Sequence, residues 1–487
     1  MIKKLFYYII IIVFSILNNI YAVSPKLSVH NNRDMTIISV NNQIHTDYGL
    51  SYPITYEFSI PQNLETLNSY RKFQFLQYWE LIEEKTDQDF FNGIEAVRFD
   101  YDENIAYLSV GFSSVSDSIF IKFTDVDNND INVSYIGTSS YYDNRKAVVT
   151  ITGDDWADYC NEKFVQSCQN FRSYNLWYSV AVITGSGWNQ NSWEDIQNEL
   201  DLGLIEVVSH SRTHPYTPYI DVEGEVLGSK QDLFDNLELS GHNSSGDNEY
   251  IYAWVAPYGD YDDAIDTMTS IGKYLVSRLF YWDDNDFSEW NDELLKFNPT
   301  GASIEVGSSY YWGSTNINEL NGTFDNVVES NGIYHLMTHP NILQWDEDFT
   351  WDHIEHISNK KDIWYVGFGH LYLYRFLAQY QEYNLNNNDK VNLVPNDFKI
   401  IQNYPNPFNP ITTMKYNLPK ETHVKITVYD IIGREIKNLI NTNQTSGYKS
   451  IIWDGTNDYG EMVSGGMYFY TLNTNTFSET KKMILLK

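Results

Sequence analysis

Short runs in which apolar and polar residues alternate dominate the first third of the chain. From Val23 to about Arg145 they include Ala106 to Phe112 and Ser118 to Phe123, and clusters of asparagine and aspartate separate them. Alternation with a period of two predicts antiparallel strands joined by turns. One stretch, Tyr70 to Glu84, is predicted to be helical. We therefore expect residues 23–145 to form a β-sandwich-like accessory domain.

The period changes after Lys146, where strand-like apolar runs alternate with amphipathic segments. The strand candidates are Ala147 to Thr152, Leu176 to Thr184, Leu204 to Ser209, Ile251 to Val255, Tyr274 to Phe280, Ile333 to Met337 and Ile363 to Phe368. The helix candidates are Glu162 to Phe171, Ser192 to Leu200, Lys230 to Leu239, Asp262 to Ile271 and Trp351 to Ser358. About seven strand and helix units predict a parallel sheet and a (β/α) barrel over residues 146–382. Reactive side chains in such folds gather at the C-terminal ends of the strands.

A linker and a second β-rich unit follow. The run NLNNNDKVNLVPND has the composition of a linker, which we assign to residues 383–398. Beyond it, apolar residues occupy alternate positions at Val424, Ile426 and Val428. Residues 399–487 are therefore predicted to form a small all-β sandwich.

The first residues predict an export signal. Lys3 and Lys4 precede an apolar run from Leu5 to Leu17, and Tyr21-Ala22 is a suitable cleavage point. The run is too short to span a bilayer comfortably. We expect residues 1–22 to be a signal peptide and no membrane span to remain after its removal.

The chain is strongly acidic. Its 487 residues include 65 Asp and Glu against 32 Lys and Arg, which gives a net charge of −33. A surface of this charge repels phosphate groups, so nucleic acid is not expected as a partner, and neither is an anionic membrane surface. Neutral glycans and cations are compatible with this charge as ligands.

Two histidines four residues apart follow one of the predicted strands, in the stretch HSRTHP. His210 and His214 can converge on one cation if the chain turns helically between them. By itself such a pair is either a capped turn with two surface histidines or part of a metal site. A catalytic metal centre also needs a carboxylate ligand, and the base, the acid and the oxyanion donor must come from elsewhere.

The ends of three further predicted strands carry candidates for the carboxylate ligand, the base, the oxyanion donor and the acid. TGDD, Thr152 to Asp155, offers adjacent acids, one of which can face a cation while the other serves as a base. In APYG the backbone N–H near Tyr258 can face a developing oxyanion. LMTH ends at His339, which can act as a general acid. Taken singly, these motifs have simpler interpretations: a solvated turn, a proline turn and a structural histidine.

The order TGDD, HSRTH, APYG, LMTH resembles that of the polysaccharide deacetylase family, whose NodB-type catalytic domain is a distorted (β/α) barrel. The resemblance covers about Lys146 to Tyr380. It implies that Asp154 is the catalytic base and His339 the general acid. The implied metal ligands are Asp155, His210 and His214. A set of two nitrogens and one oxygen favours Zn²⁺, and Co²⁺ or Ni²⁺ suit the same groups.

The sequence departs from this family in two motifs. The third motif of the family begins with an arginine two residues before its proline, where this chain has Val255. That arginine orients and charge-balances the base, and Arg212 or Arg278 would have to replace it. The fourth motif, an Asp and Trp segment, is only loosely matched by Trp282, Asp283, Asp284 and Trp290.

The last part of the chain contains NYPNPFNPITTMKYNLP, VKITVYDIIGREI, WDGTNDYGEMVSGGMYFY and TKKMILLK. Together these segments look like the C-terminal sorting domain of type IX secretion substrates, which is an immunoglobulin-like sandwich. The resemblance implies that the signal peptide directs export across the inner membrane and that the type IX machinery carries the protein through the outer membrane. The mature protein is then expected to be secreted or attached to the cell surface.

These observations lead to a hypothesis and two alternatives. The hypothesis is a secreted, metal-dependent hydrolase that removes N-acetyl or O-acetyl groups from a polysaccharide and acts on non-peptide carbon–nitrogen bonds. The first alternative is a catalytically impaired surface module that binds glycan or metal, which Val255 and the aromatic insertion with Tyr310, Tyr311 and Trp312 favour. The second is a structural adhesin in which the barrel is a spacer. Metal content and acetate release distinguish the three.

Overall fold

The computed structural model describes most of the chain. The described residues are 27–32, 35–39, 52–62, 64, 66–73, 78–85, 94–112, 118–239, 251–282, 285–307, 313–341, 345–378, 380–381, 398–400, 403, 406–445 and 447–486. The predicted signal peptide and nearly all of the predicted linker lie outside these residues, as do Asp283, Asp284 and the insertion with Tyr310, Tyr311 and Trp312.

The N-terminal part consists of antiparallel strands in two sheets, as the alternating pattern predicts. The strands are Leu27–Asn32, Met35–Ser39, Ile54–Ser59, Asn68–Phe73, Glu80–Ile82, Ala96–Asp100, Ile105–Val110, Ser118–Thr124, Asp130–Ile131 and Ser134–Thr138. The third, sixth, seventh and tenth of these form the smaller sheet, and the others belong to the larger one. A short helical turn, Tyr142–Asn144, leads into the central part.

The predicted helix at Tyr70 to Glu84 is wrong. This stretch contributes the strands Asn68–Phe73 and Glu80–Ile82, which pair with each other. Ser69 and Arg71 are buried while their neighbours are partly exposed, which is the period of a strand. Short amphipathic runs fit either period. Pairing of the first strand with Ser118–Thr124 decides between the two.

The central part alternates strands and helices and contains the predicted elements, together with two helices and several short strands that the pattern did not predict. The strands are Ala147–Trp156, Tyr178–Val182, Ile205–Ser209, Ala253–Val255, Val276–Trp282, Trp290–Asn291, Lys296–Phe297, Thr300–Ala302, Ile304–Val306, Gly313–Ser314, Ile333–Thr338, Ile363–Tyr365 and Tyr380–Gln381. The α-helices are Asn161–Ser173, Gln190–Asp201, Ser229–Asn236, Asp263–Ile271, Ile317–Glu329, Asp348–Ile357 and Phe368–Ala378. Short helical turns occur at Asp158–Cys160, Gly224–Gly228 and Pro257–Gly259. In the described ranges, no helix is long and apolar enough to cross a membrane.

Neighbouring strands in the main sheet of the central part are parallel, and only the short pair Trp290–Asn291 and Lys296–Phe297, which is separate from that sheet, is antiparallel among the described strands of this part. Six strands lie side by side in the order Ile333–Thr338, Ala147–Trp156, Tyr178–Val182, Ile205–Ser209, Ala253–Val255 and Val276–Trp282. Every residue of the third and fourth strands in this order is buried, as expected for strands covered on both faces. Because all carboxyl ends of parallel strands meet at one edge, the residues that follow these strands are brought together.

The helix Phe368–Ala378 connects the central part to the N-terminal sheets. All of its residues except Arg375 are buried. Leu373 and Phe376 belong to the same buried cluster as Ile54 of the N-terminal part. The Tyr374 hydroxyl donates to the carbonyl oxygen of Ser139 at 2.9 Å. The two parts therefore share one hydrophobic core across the predicted boundary at residues 145 and 146.

The C-terminal part is all β. Its strands are Lys399–Ile400, Thr412–Leu418, Thr422–Asp430, Glu435–Gln444, Gly447–Trp453, Gly466–Thr474 and Ser478–Leu485, arranged as a three-stranded and a four-stranded antiparallel sheet. Val424, Ile426 and Val428 are fully buried, as their alternation predicts. They pack in a cluster of their own with Trp453 and Tyr470.

Candidate active site

All six residues that the sequence singles out lie at the carboxyl edge of the parallel sheet. Asp154 and Asp155 are near the end of Ala147–Trp156, and His210 follows Ile205–Ser209 directly. His339 follows Ile333–Thr338, and Tyr258 follows Ala253–Val255 after two residues. The remaining residue, His214, packs against the ring of His210 at 4.7 Å between ring centres. Gly153 is required here because a Cβ would lie 1.8 Å from the Tyr178 hydroxyl.

Asp155, His210 and His214 form a triad of converging donor atoms. Oδ1 of Asp155 lies 3.2 Å from Nε2 of His210 and 3.1 Å from Nε2 of His214. One candidate ligand atom from each residue lies within 4.8 Å of the other two. His210 is buried and its two partners are partly buried, so the triad can be reached from solvent on one side.

The contacts around the triad fit a divalent cation. Nδ1 of His210 lies 2.9 Å from the carbonyl oxygen of Val255, so this nitrogen carries a proton and donates it. Nε2 then faces the Asp155 carboxylate with a lone pair unless a second proton or a cation lies between them. Burial raises the pKa of Asp155, but its close contacts with the imidazoles of His210 and His214 outweigh this effect and hold that pKa well below its usual range. The carboxylate is therefore ionised, and two imidazoles with one carboxylate are a ligand set that suits Zn²⁺.

Several backbone conformations at the site lie in the left-handed region. The angle φ is 73° at Asp155, 65° at Ser211, 54° at His214 and 56° at Tyr258. Each costs a residue with a side chain about 1–2 kcal/mol, and such strain is concentrated at functional sites. His210 and His214 converge without a helical turn between them, because the chain turns through the left-handed region instead.

Glu225 holds the loop that carries His214. Its Oε2 accepts hydrogen bonds from the backbone N–H groups of Arg212 and Thr213, both at 2.9 Å, and its Oε1 accepts one from the Thr213 hydroxyl at 2.6 Å. The Arg212 guanidinium donates to both oxygens of Asp232 at 2.6 and 2.7 Å. The Arg212 guanidinium is therefore paired with Asp232. It does not replace the family's arginine, whose position in this chain is occupied by Val255.

Arg278 lies in that place. Its Nη2 donates to Oδ2 of Asp154, and the two side chains are 1% and 5% exposed. Arg278 is the register partner of Val255 on the neighbouring parallel strand, so its side chain enters from the same face, one strand further along. Burial raises the pKa of Asp154, but the positive charge of Arg278 and the neighbouring His339 and His210 lower it by more. The pKa of Asp154 therefore lies below its ordinary value.

His339 lies between two carboxylates. Its Nδ1 is 2.7 Å from Oε1 of Glu305, and its Nε2 is 3.7 Å from Oδ2 of Asp154. Burial lowers the pKa of His339, but Glu305 and Asp154 raise it to about 9. The imidazole is therefore protonated at neutral pH, which is the state of a proton donor.

Glu305 is absent from the residues that the sequence singled out. It occupies the middle of the buried strand Ile304–Val306, and a lone carboxylate between two apolar residues was the available signal. Four other histidines of the central part are outside the site. His335, His353 and His370 are buried, and His356 is partly exposed.

Exposed tyrosines border the triad. The rings of Tyr216 and Tyr258 stack with 3.8 Å between their centres, and the Tyr258 ring packs edge-on against His214. Tyr216 is 68% exposed and Tyr159, which follows the acid pair, is 75% exposed. Aromatic faces on an open surface offer an apolar contact for a ligand with its own apolar face.

A family model described as a secretion system C-terminal sorting domain matches residues 402–486. This match confirms the predicted type IX sorting domain and marks the protein for export to the cell surface or the medium. A search of curated proteins found no match.

Solved structures similar to the chain include three of one kind. A protein from Mycobacterium smegmatis described as a polysaccharide deacetylase has 11% identity and a TM-score of 0.38, over 52% of this chain and 99% of that chain. A family 4 acetyl xylan esterase from Clostridium thermocellum, in complex with a cobalt ion, has 12% identity and a TM-score of 0.31, over 46% and 90%. A CE4-family pseudoenzyme from Bacillus anthracis has 12% identity and a TM-score of 0.30, over 47% and 66%. Because these scores are low, the function proposed below rests on the residues of this chain.

Proposed function

We propose that this protein is a secreted, metal-dependent hydrolase that removes acetyl groups from a polysaccharide, with N-acetyl groups as the first substrate class and O-acetyl groups as the second. One observation carries the proposal. A triad fit for a cation, an ionised Asp154 and a protonated His339 lie together at one edge of the sheet. The motif order TGDD, HSRTH, APYG, LMTH supports it.

The strand pairing supports a distorted (β/α) barrel. Thr300–Ala302 pairs with Val276–Trp282, and Ile304–Val306 pairs with Ile333–Thr338, all parallel. If the two short strands are taken as one strand interrupted at Ser303, seven strands close into a ring. The two C-terminal sheets and their common core likewise support an immunoglobulin-like sandwich.

Asp154 would be the base. Arg278 holds its Oδ2, and within the described residues its Oδ1 is buried without a hydrogen-bond partner. One oxygen is therefore fixed while the other is free to accept a proton from the attacking water. Because the pKa of Asp154 is lowered, the carboxylate is in its basic form at neutral pH.

Asp155, His210 and His214 would hold the divalent ion, with Zn²⁺ as the first choice and Co²⁺ or Ni²⁺ as alternatives. When bound, such an ion supplies Lewis-acid polarisation of the acyl carbonyl and lowers the pKa of water. The hydrogen bond from His210 to Val255 fixes the imidazole in the orientation that presents Nε2 to the triad.

His339 would be the acid. Glu305 holds its Nδ1, so Nε2 is the atom that delivers a proton to the leaving nitrogen or oxygen of the sugar. The backbone N–H of Tyr258, in a left-handed turn, would donate to the developing oxyanion. One water is consumed. Asp154 receives one of its protons, His339 supplies one to the sugar, and the products are acetate and a free amine or hydroxyl group.

Two features favour the surface-module alternative: Val255 at the position of the family's arginine, and the aromatic insertion with Tyr310, Tyr311 and Trp312, which lies outside the described residues. Because Arg278 lies next to Asp154, the argument from Val255 for an impaired site loses its force. The alternative remains an outcome of the test below.

The test is acetate release by the zinc-loaded protein from acetylated chitin oligomers and from acetylated xylan. We expect release from at least one. Asp154→Asn should keep the metal, because Asp154 is outside the triad, and should lower the rate about 10²–10⁴-fold. Metal binding without acetate release would support the surface module, and the absence of both would support the adhesin. Full activity in Asp154→Asn would refute the assignment of the base.

A further inference from the structure

A groove lined by basic side chains lies at the amino ends of the parallel strands, opposite to the edge that carries the candidate active site. Its volume is about 530 Å³, which is in the range of small-molecule sites. Arg145, Lys146 and Arg375 contribute positive charge to its lining, and Asp286 contributes one negative charge. The aromatic residues Tyr141 and Phe287 form part of the wall.

The groove is distant from the candidate active site. Lys146 immediately precedes the strand Ala147–Trp156, so it lies at the amino end of the strand whose carboxyl end carries Asp155. Nine residues of extended chain span roughly 30 Å. A ligand in the groove therefore occupies a separate surface of the molecule.

The charge of the groove is unusual for this chain. Lys and Arg number 32 against 65 Asp and Glu, so most basic groups have an acidic neighbour available. Arg145 follows this rule, with Nε 3.2 Å from Oδ2 of Asp143. In the part of the chain that the structure describes, Lys146 and Arg375 have no carboxylate within ion-pair distance. Arg375 is half-buried, and its guanidinium lies 5.1 Å from the centre of the Phe287 ring.

The aromatic wall supplies the second half of the recognition. The rings of Tyr141 and Phe287 lie 5.9 Å apart between centres. The Tyr141 hydroxyl donates to the carbonyl oxygen of Asn331 at 3.0 Å, which fixes the ring. Tyr141 is only 7% exposed and supports the wall from behind, whereas Phe287 is partly exposed. The apolar C–H face of a sugar ring can therefore contact Phe287 while a charged substituent reaches Lys146 and Arg375.

We propose that this groove binds an acidic sugar residue of a polysaccharide, with the carboxylate paired to Lys146 and Arg375 and the sugar ring packed against Phe287. The net charge of −33 repels an acidic polymer over most of the surface, so a local excess of positive charge is where such a polymer can be accepted. The groove would tether the protein to an acidic glycan and does not depend on the proposed deacetylation.

The test is calorimetric titration of the full chain, at low salt, with a galacturonate oligomer, a neutral xylose oligomer and a sulfated oligosaccharide. We expect the galacturonate oligomer to bind and the neutral one not to bind. Lys146→Glu combined with Arg375→Glu should weaken binding at least tenfold. Lys420→Glu combined with Lys425→Glu, which makes the same change in net charge in the C-terminal part, should leave binding within twofold.

The proposal would be overturned if the galacturonate oligomer did not bind, or if it bound the groove variant as tightly as the parent protein. Tighter binding of the sulfated oligosaccharide at the same residues would overturn the assignment of a carboxylate. If the charge-reversed variant does not fold, the double variant Lys146→Gln and Arg375→Gln takes its place in the same titration. Acetate release, measured in parallel, fails or succeeds independently and so separates this proposal from the catalytic one.

Discussion

Substitutions at Arg278 and Val255 allow the guanidinium beside Asp154, the proposed base, to be removed and then supplied again from the neighbouring strand. Arg278→Val takes the guanidinium away from Asp154, which is only 3% exposed. Breaking a buried ion pair by removing one partner costs about 3–5 kcal/mol. Since 1 kcal/mol corresponds to about 2–4 °C in a unit of 150–250 residues, we expect Tm to fall by about 10 °C.

The rate should fall with it. Without Arg278 the burial of Asp154 is less opposed, so the pKa of its carboxyl rises and the side chain loses its fixed orientation. General base catalysis contributes about 10²–10⁴-fold, and we expect a loss in acetate release within that range. The measurements are calorimetric Tm and the initial rate of acetate release with zinc in excess.

The second substitution tests the geometry. Val255 is fully buried and is paired with Arg278 in the parallel register, so both side chains point to the same face of the sheet. When Val255→Arg is added to Arg278→Val, the double variant should regain at least half of the decrease in Tm. Its rate of acetate release should be at least tenfold higher than that of Arg278→Val alone. Val255→Arg alone is the control, and it should destabilise the protein because two guanidinium groups then share one carboxylate. An unchanged Tm and rate in Arg278→Val would refute the role given to Arg278.

Two further predictions concern the proton donor and the domain boundary. Glu305→Gln removes the carboxylate that raises the pKa of His339, so the alkaline limb of the kcat/KM profile, near pH 9 in the parent protein, should move to lower pH. An unmoved limb would show that His339 is not the titrating acid. Deletion of residues 23–145 should abolish soluble expression or cooperative unfolding, because it uncovers the apolar helix Phe368–Ala378. Deletion of residues 399–487, whose core is separate, should instead change the Tm of the remainder by only a few degrees.

Hydrophobic patterning was sufficient to predict the longer parallel strands because each is a mainly apolar run bounded by turn residues. It missed the short parallel strands Thr300–Ala302 and Ile304–Val306. It failed at Tyr70 to Glu84, where short amphipathic runs fit both periods and pairing with Ser118–Thr124 decides. It also missed Phe368–Ala378, which is apolar on all sides and therefore has no helical stripe. Burial between two parts of the molecule cannot be inferred from the pattern of one segment.

The motif order brought together the triad, the proposed base and the proposed acid, but it left Arg212 and Arg278 as alternatives beside Asp154 and did not reveal Glu305. Arg278 is 124 residues from Asp154 and Glu305 is 34 residues from His339, so neither pair follows from local spacing. Register between neighbouring strands decides which of the two arginines reaches Asp154. For the same reason Arg212, though next to His210 in space, could not be excluded until its contact with Asp232 was known.

The most direct test of a metal-dependent hydrolase is to titrate metal-free protein with Zn²⁺ while measuring bound metal and the rate of acetate release on the same samples. The rate should rise in proportion to occupancy and level off at one ion per chain, and His214→Ala should bind zinc much more weakly and show no such rise. Acetate release that does not depend on metal, or full occupancy by one ion with no release from any acetylated glycan, would contradict the account.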